Sequence, residues 1–324
     1  MKVLITGGTG FVGRNIAACF DMANFTRQIG SATATLAARN GIRVLSVGSK
    51  PYDLKDYKAC VSLLDDYEPD VIVHAAGSVG GILANRENPG KFMYDNLCMG
   101  MNMIEATRHY TPWAKFIMLG TVCAYPKFTP VPFKEEDLWN GYPEETNAPY
   151  GIAKKALMKL CETYHEQYDM DAINLIPVNM YGPYDHFNLT SSHVIPALIL
   201  KFHNAMKNGE KTVTLWGTGS ASREFLHATD CGRAVVLASN TPGLGPEPIN
   251  IGTGEEITIR ELAEMIADLM NYDGQIEWDT SKPDGQPRRC LDVSRAKQLL
   301  DFEAIIPLRD GLKSTIDWFR KENK

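Results

Sequence analysis

The sequence predicts an α/β protein: a doubly wound parallel sheet with a smaller α/β lobe toward the C-terminus. Three observations predict it. An N-terminal apolar run at 3–6 leads directly into the glycine cluster G-G-T-G-F-V-G at 7–13, the pattern of a buried strand, a tight turn and a helix start. Short apolar runs then alternate with helical patterns as far as about residue 180, the order that yields parallel strands with helices on both faces. Past Tyr181 the character changes to a loop-like G-P-Y-D-H-F-N-L-T-S-S followed by new helices and strands.

Element by element, strands are expected at 3–6, 42–47, 71–75, 116–119 and 171–176, with helices starting near Gly10 and spanning 55–66, 90–109 and 150–168. The stretch 21–40 is long for a strand-helix-strand unit of roughly 30 residues, so an extra turn or lid is expected near 25–33. Helices at 194–208 and 259–270 alternate with short strands at 213–216 and 276–278. The expected division is therefore residues 1–180 as one lobe, with 223–253 returning to it, and 181–222 plus 254–324 as the other.

Bulk properties bound the partners. With 44% hydrophobic residues in 324 there is ample material for a core. A net charge of −6 argues against a nucleic-acid partner, which ordinarily demands a basic excess. No apolar run approaches a membrane span and the N-terminal run is too short for a signal peptide, so the expectation is a cytoplasmic protein without a membrane partner. The seven cysteines include no C-x-x-C pair, so no metal site is expected, and most read as small buried apolar groups.

Gly7, Gly10 and Gly13 have the spacing that allows a tight turn, close approach of the backbone to a pyrophosphate, and close helix-sheet packing. Thr9, Phe11 and Val12 lie within that turn, and the helix start offers free N–H groups to phosphate. This is the dinucleotide-binding (Rossmann) pattern. An NAD-selective site places a carboxylate at the end of the second strand; here the sequence is S-V-G-S-K, so NADP is expected, with Ser49 and Lys50 toward the 2′-phosphate. The alternative is that Lys50 is a solvated loop lysine.

Tyr150 and Lys154 form Y-x-x-x-K, one helical turn apart. An ammonium beside a phenol favours the phenolate, which makes tyrosine usable in acid–base chemistry. Thr121 stands at a strand end about thirty residues upstream. Together with the glycine turn, H-A-A-G at 74–77, Asn96 and P-V-N-M-Y-G-P at 177–183, this resembles the extended short-chain dehydrogenase/reductase family. More narrowly, S-V-G-G-I-L-A-N at 78–85, C-A-Y-P-K at 123–127, E-E-T-N-A-P-Y-G-I-A-K at 144–154, S-H-V-I-P-A-L at 192–198, R-E-F-L-H at 223–227 and S-K-P-D-G-Q-P-R at 281–288 are similar to its GDP-4-keto-6-deoxymannose 3,5-epimerase/4-reductase branch, whose product is GDP-L-fucose.

That resemblance implies NADPH as cofactor and a GDP-linked 4-keto sugar as substrate. It implies Cys123 and His193 as the acid/base pair that inverts C3 and C5, and Tyr150, Lys154 and Thr121 as the reducing set. It implies cofactor contacts from Asp53 and Leu54 (adenine), Ala75, Ala76, Gly77, Asn96, Lys154, Pro177, Asn179 and His193. On the substrate side, Arg223, Lys282 and Arg288 are candidates for the diphosphate, and Lys201 stands where the family often has arginine. Trp216 has two readings, a stack on guanine or a place in the core. A homodimer through 90–109 and 150–168 is implied as well, and Phe92, Met93, Leu97, Met99, Met101, Met103 and Ile104 give the first of these more apolar surface than one face needs. A thicker intramolecular core explains the same pattern.

The residues keep rival readings. Cys123 can be packing, Thr121 an ordinary strand residue, and His193 a cap residue, although Ser192 is itself a good cap. The family shows G-S-S-C where this chain has G-T-V-C at 120–123; threonine keeps the hydrogen bond, and Val122 loses a hydroxyl. Two alternatives follow: a 4-reductase on a related GDP-keto sugar such as a 6-deoxy-heptose, with epimerisation weak or lost, or a non-catalytic NADP-binding sensor.

Overall fold

A computed structural model gives the structure of residues 1–21, 41–50, 52–189, 191–282 and 286–323. The expected lid near 25–33 lies outside these described residues. The larger core is a six-stranded sheet with the order β2-β1-β3-β4-β5-β9, where β1 is Lys2–Thr6, β2 Arg43–Val47, β3 Val71–His74, β4 Lys115–Leu119, β5 Ala172–Pro177 and β9 Ile249–Ile251. Every pairing in it is parallel. Parallel strands covered on both faces read as unbroken apolar runs, and V-I-V-H of β3 and A-I-N-L-I-P of β5 are buried throughout.

The chain leaves β1 for β2 on one side and returns for β3 on the other. The carboxyl ends of β1 and β3 thus flank the point where strand order reverses, which is where open α/β sheets bind ligands. Helices α1 (Phe11–Asp21), α2 (Tyr57–Tyr67), α3 (Ile82–Glu87), α4 (Pro89–Tyr110) and α5 (Ala148–Tyr168) follow the strands. α4 and α5 pack closely within the chain, since a side chain at Gly100 would overlap Leu157. The same α4 leaves Tyr94 and Met101 exposed, so both readings of its apolar excess have material support.

Two small sheets complete the fold. β8 (Ser222–His227) lies between β6 (Asn179–Tyr181) and β10 (Glu256–Thr258), and β7 (Thr212–Trp216) pairs in parallel with β11 (Gln275–Asp279). A second core joins α6 (Val194–Asn208) through Ile195, Ile199 and Phe202 to α8 (Ile259–Met270) through Leu262 and Ile266, and to α10 (Leu308–Glu322) through Leu312 and Phe319. Each such fully buried side chain contributes roughly 1.5–3 kcal/mol. α8 starts at a reciprocal cap in which the Thr258 and Glu261 side chains bond each other's backbone N–H.

The returning segment is α7 (Ala228–Asn240) with β9, whose Cys231, Val235 and Ile251 sit in the larger core. β8 itself pairs only in the small sheet. The chain also crosses back once more: Leu291, Ala296, Leu300 and Phe302, around α9 (Ser294–Leu300), belong to the larger core. Buried Glu224 on β8 pins both crossings, accepting from the N–H groups of Thr253 (2.5 Å), Gly254 (2.9 Å) and Leu291 (2.7 Å).

Candidate active site

The turn after β1 is a backbone cradle. Gly7 has φ of 68°, and a Cβ there would lie 2.8 Å from Ala76; a Cβ on Gly13 would overlap the Gly7 carbonyl oxygen. Only glycine fits either position. Thr9 and Gly10 are exposed at the turn, and Phe11 and Val12 begin α1. Ala75, Ala76 and Gly77 follow β3 beside it, with the Ala76 N–H 3.4 Å from Thr6 Oγ1. Lys50 is exposed in the turn after β2. Asp53 accepts from the Lys55 N–H at 3.1 Å, and Leu54 is buried with its carbonyl held by Asn102 at 2.9 Å.

Lys154 and Asn96 meet over Gly77. From a Cβ built on Gly77, Asn96 Oδ1 would be 3.2 Å away and Lys154 Nζ 3.8 Å. Asn96 is held by two bonds from its Nδ2, to the carbonyls of Ser78 (2.8 Å) and Phe92 (2.6 Å), while its Oδ1 is buried with no partner among the described residues. Burial pushes the Lys154 ammonium down to about 8. A cation unpaired among the described residues, an orphaned acceptor and a glycine cradle, with no carboxylate closing β2, fit a phosphorylated dinucleotide. Pro177 ends β5, and Asn179 is fixed by its Nδ2 bond to the Glu224 carbonyl at 2.9 Å.

Thr121, Cys123 and Tyr150 gather where β4 ends. Thr121 caps a short 3₁₀ turn, Val122–Ala124, and its hydroxyl accepts from the Cys123 N–H at 3.2 Å. Thr121 and Cys123 are the two side chains that act on the Tyr150 phenol. The close approach is a matter of backbone: a side chain on Gly151 would overlap the Cys123 carbonyl. Burial first, then Cys123, push the Tyr150 phenol upward, and the Thr121 bond offsets part of this. The lowering expected from Lys154 is not among the effects on the phenol, because desolvation dominates. A phenol that keeps its proton is the form that can donate one.

Of the seven thiols, only Cys98 and Cys123 are partly exposed. Burial drives Cys19, Cys60, Cys231 and Cys290 up to about 12, which makes them inert packing groups. Cys123 instead faces a cation that sequence reasoning missed: Arg289 is buried, with Nη1 3.6 Å from the Cys123 sulfur and Nη2 bonded to Gln286 at 2.7 Å. Gln286 is in turn tied to the Lys127 carbonyl at 2.9 Å. Arg223 is close by: burial, then the charge of Arg289, bring it down to about 10, and Cys123 and Glu144 act against this.

His193 is the N-cap residue of α6, without a side-chain cap bond. Ser192 does not cap that helix; its hydroxyl donates to the His186 carbonyl. The Gly81 N–H donates to the Ser191 carbonyl at 2.8 Å, which ties this loop to the one following β3. His193 is exposed, and desolvation by the surrounding chain, then the charge of His186, lower its basicity. Among the described residues no hydrogen bond joins it to Cys123 or Tyr150.

The substrate candidates are less uniform. Trp216 is 56% exposed at the end of β7, with Lys282 Nζ 5.8 Å from its ring centroid, so it is not a core residue. Lys201 is half-buried and donates to the Thr214 carbonyl at 3.1 Å. Arg288 is exposed and committed to the Glu256 carboxylate. No group of three or more His, Cys, Asp or Glu that could hold a metal occurs among the described residues, and no described helix is long and apolar enough to cross a membrane.

The family model described as "NAD dependent epimerase/dehydratase family" matches residues 3–252. The GDP-L-fucose synthase of Escherichia coli K12 is 39% identical over 328 aligned positions, covering 98% of this chain and 96% of its own length. The crystal structure of a GDP-L-fucose synthetase from Naegleria fowleri bound to NADP superposes with a TM-score of 0.84 at 28% identity, over 99% of this chain and 94% of that one. A GDP-mannoheptose C4 reductase from Campylobacter jejuni with NADP bound superposes with a TM-score of 0.82 at 26% identity, over 98% of each. With its glycine cradle, its Tyr-Lys pair and near full-length likeness to these enzymes, the chain belongs to the NAD dependent epimerase/dehydratase family, among the extended short-chain dehydrogenase/reductases.

Proposed function

We propose that the protein is an NADPH-dependent 3,5-epimerase/4-reductase of a GDP-4-keto-6-deoxy sugar, with GDP-4-keto-6-deoxymannose as substrate and GDP-L-fucose as product. The observation that carries this reading is the end of β4, where the Thr121 hydroxyl holds the Cys123 backbone and α5 closes on it so tightly that a Cβ on Gly151, next to Tyr150, would overlap the Cys123 carbonyl, which brings a proton donor and a thiol to one place.

A C4 ketone acidifies the protons on C3 and C5. Cys123 and His193 exchange protons with those carbons from opposite faces, which inverts each centre. Thr121 and Tyr150 hydrogen-bond the C4 oxygen and stabilise the enolate formed each time. Arg289 donates toward that sulfur from 3.6 Å and helps to fix its position. Tyr150 then protonates the C4 oxygen during reduction, and Lys154 holds the nicotinamide ribose. When bound, NADPH supplies the hydride. The glycine cradle with Ala75, Ala76, Gly77, Asn96, Pro177 and Asn179 holds the dinucleotide, with Asp53 and Leu54 at the adenine and Lys50 at the 2′-phosphate.

Arg223 takes the substrate diphosphate, Trp216 stacks on the guanine, and Lys201 and Lys282 complete that side; Arg288 serves through its pair with Glu256. The larger lobe is the cofactor domain and the smaller one the nucleotide-sugar domain. We place the enzyme in the cytoplasm as a homodimer through α4 and α5, in keeping with seven free thiols and the exposed Tyr94 and Met101. The second reading, a 4-reductase on a GDP-keto heptose, is favoured by Val122 and by the likeness to the Campylobacter enzyme. The test is incubation with a panel of GDP-4-keto sugars and NADPH, resolving products by NMR. GDP-L-fucose from the deoxymannose substrate supports the first reading. Turnover of heptose alone supports the second, and binding of NADPH without its oxidation by any sugar supports a sensor.

A further inference from the structure

One buried side chain ties the helix that carries Tyr150 to the segment that leads into His193. Asn85, on α3, is 4% exposed, and its Nδ2 donates twice: to Asn147 Oδ1 at 2.9 Å and to the Gly80 carbonyl at 3.2 Å. Reversing the amide would set an oxygen against two acceptors, so these neighbours fix its orientation. Asn147 is the N-cap residue of α5, just ahead of Tyr150. Its own Nδ2 donates to Glu144 Oε2 at 2.7 Å, and the same carboxylate oxygen accepts from Thr146 Oγ1 at 2.6 Å.

The second bond of Asn85 reaches the His193 segment. The Gly80 carbonyl and the Gly81 N–H belong to one planar peptide unit. Asn85 holds the carbonyl end, and the N–H end donates to the Ser191 carbonyl at 2.8 Å. The approach is close: a Cβ on Gly81 would lie 2.5 Å from the Ser192 carbonyl oxygen, and His193 is the next residue in the chain. Rotation of that peptide would release Ser191. The two ends of this connection are held unequally. α5 is fixed a second time where Gly151 meets the Cys123 carbonyl. The His193 ring makes no cap bond, so its placement depends on the backbone that leads into it.

We propose that Asn85 is a positioning residue: by locking the Gly80–Gly81 peptide it sets His193 in register with Tyr150, so that both address one sugar ring. It acts through that peptide and through His193. The inference rests on the reading of His193 as an acid/base group of the inversions.

Two rates measured on one preparation test it. The first is deuterium entry at C3 and C5 of GDP-4-keto-6-deoxymannose in D2O, followed by NMR with NADP+ present so that no reduction competes. The second is oxidation of GDP-L-fucose by NADP+, the reduction run backwards, followed by NADPH absorbance. Their ratio cancels any unfolded fraction. Asn85→Leu keeps the bulk of the buried side chain and removes both bonds. The proposal expects the ratio of deuterium entry to sugar oxidation, at saturating substrate, to fall by about 10–100-fold, the cost of a small misplacement of a reacting group. Gly81→Ala, which displaces the Ser192 carbonyl and leaves Asn85 in place, is expected to lower the ratio likewise, with little further loss in the double variant. An unchanged ratio in Asn85→Leu overturns the proposal and leaves Asn85 a packing residue. Additive losses in the double variant overturn it too, because the two changes would then act independently. If the wild type itself takes up no deuterium, the epimerase reading fails first and this inference falls with it.

Discussion

The two halves of the cleft are made of different material. On the cofactor side the turn is built of backbone: Gly7 and Gly13 leave no room for a Cβ, and Ala76 closes against Gly7. On the side proposed for the nucleotide sugar they are long side chains from separate parts of the chain, Lys201, Trp216 and Arg223, each held by a different partner. The backbone half is intolerant of substitution and common to dinucleotide binders; the side-chain half can change specificity without disturbing the fold. Each half should therefore fail separately.

The strongest break is Gly13→Val. The added atoms overlap the Gly7 carbonyl, so NADPH affinity, followed by fluorescence titration, is expected to fall beyond detection while GDP binding, followed by calorimetry, persists. Loss of both would show that the halves are not separable. Next is Tyr150→Phe, which removes the proton donor. NADPH oxidation is expected to fall by about 10²–10⁴-fold with both ligands still bound, and a smaller loss would mean another group donates. Arg289→Gln removes the cation beside Cys123, and deuterium entry at C3 and C5 is expected to slow by about 10–100-fold, the range for a hydrogen bond to a charged group, with a lesser effect on NADPH binding. Trp216→Ala is expected to weaken GDP by roughly 1–3 kcal/mol, the value of a lost base stack, with no change in NADPH affinity.

The effect of Asp185 is on stability and depends on pH. Burial raises its carboxyl to about 7, against an ordinary value of about 3.9. Below the ordinary value folded and unfolded chains both hold the proton and nothing is lost. As pH rises toward 7 the unfolded chain ionises while the buried group resists, so native stability declines, by up to about 4 kcal/mol at full effect. Asp185→Asn does not titrate, and its margin in Tm over the wild type is expected to widen from pH 4 to pH 7 and then level off. A margin that stays constant would mean the carboxyl is solvated.

Much of this was legible in the sequence because it is local. Buried parallel strands announce themselves as apolar runs, and the glycine turn and Y-x-x-x-K depend only on neighbours a turn away. Arg289 was not legible. It adjoins Arg288 in a stretch pinned as extended chain by the Ser222 N–H bond to the Pro287 carbonyl and the Glu224 N–H bond to the Arg289 carbonyl. Successive side chains then point to opposite faces, so one arginine pairs with Glu256 in solvent and the other is buried against Cys123. No spacing rule distinguishes them. The return of 291–302 to the larger core was hidden for a similar reason, since α9 has seven residues, too few for a periodic signal. The upward shift of Tyr150 was missed because desolvation is a property of the packed site, whereas the pairing with Lys154 is visible as a motif.

The central claim is that one pocket performs both inversion and reduction. The most direct measurement is the isotopic pattern of the C4-reduced sugar made by the wild-type protein from GDP-4-keto-6-deoxymannose and NADPH in D2O. Solvent deuterium at both C3 and C5 of the L-configured product is predicted. A C4-reduced product of unchanged configuration, with protium at both carbons, would contradict the account and leave a reductase alone.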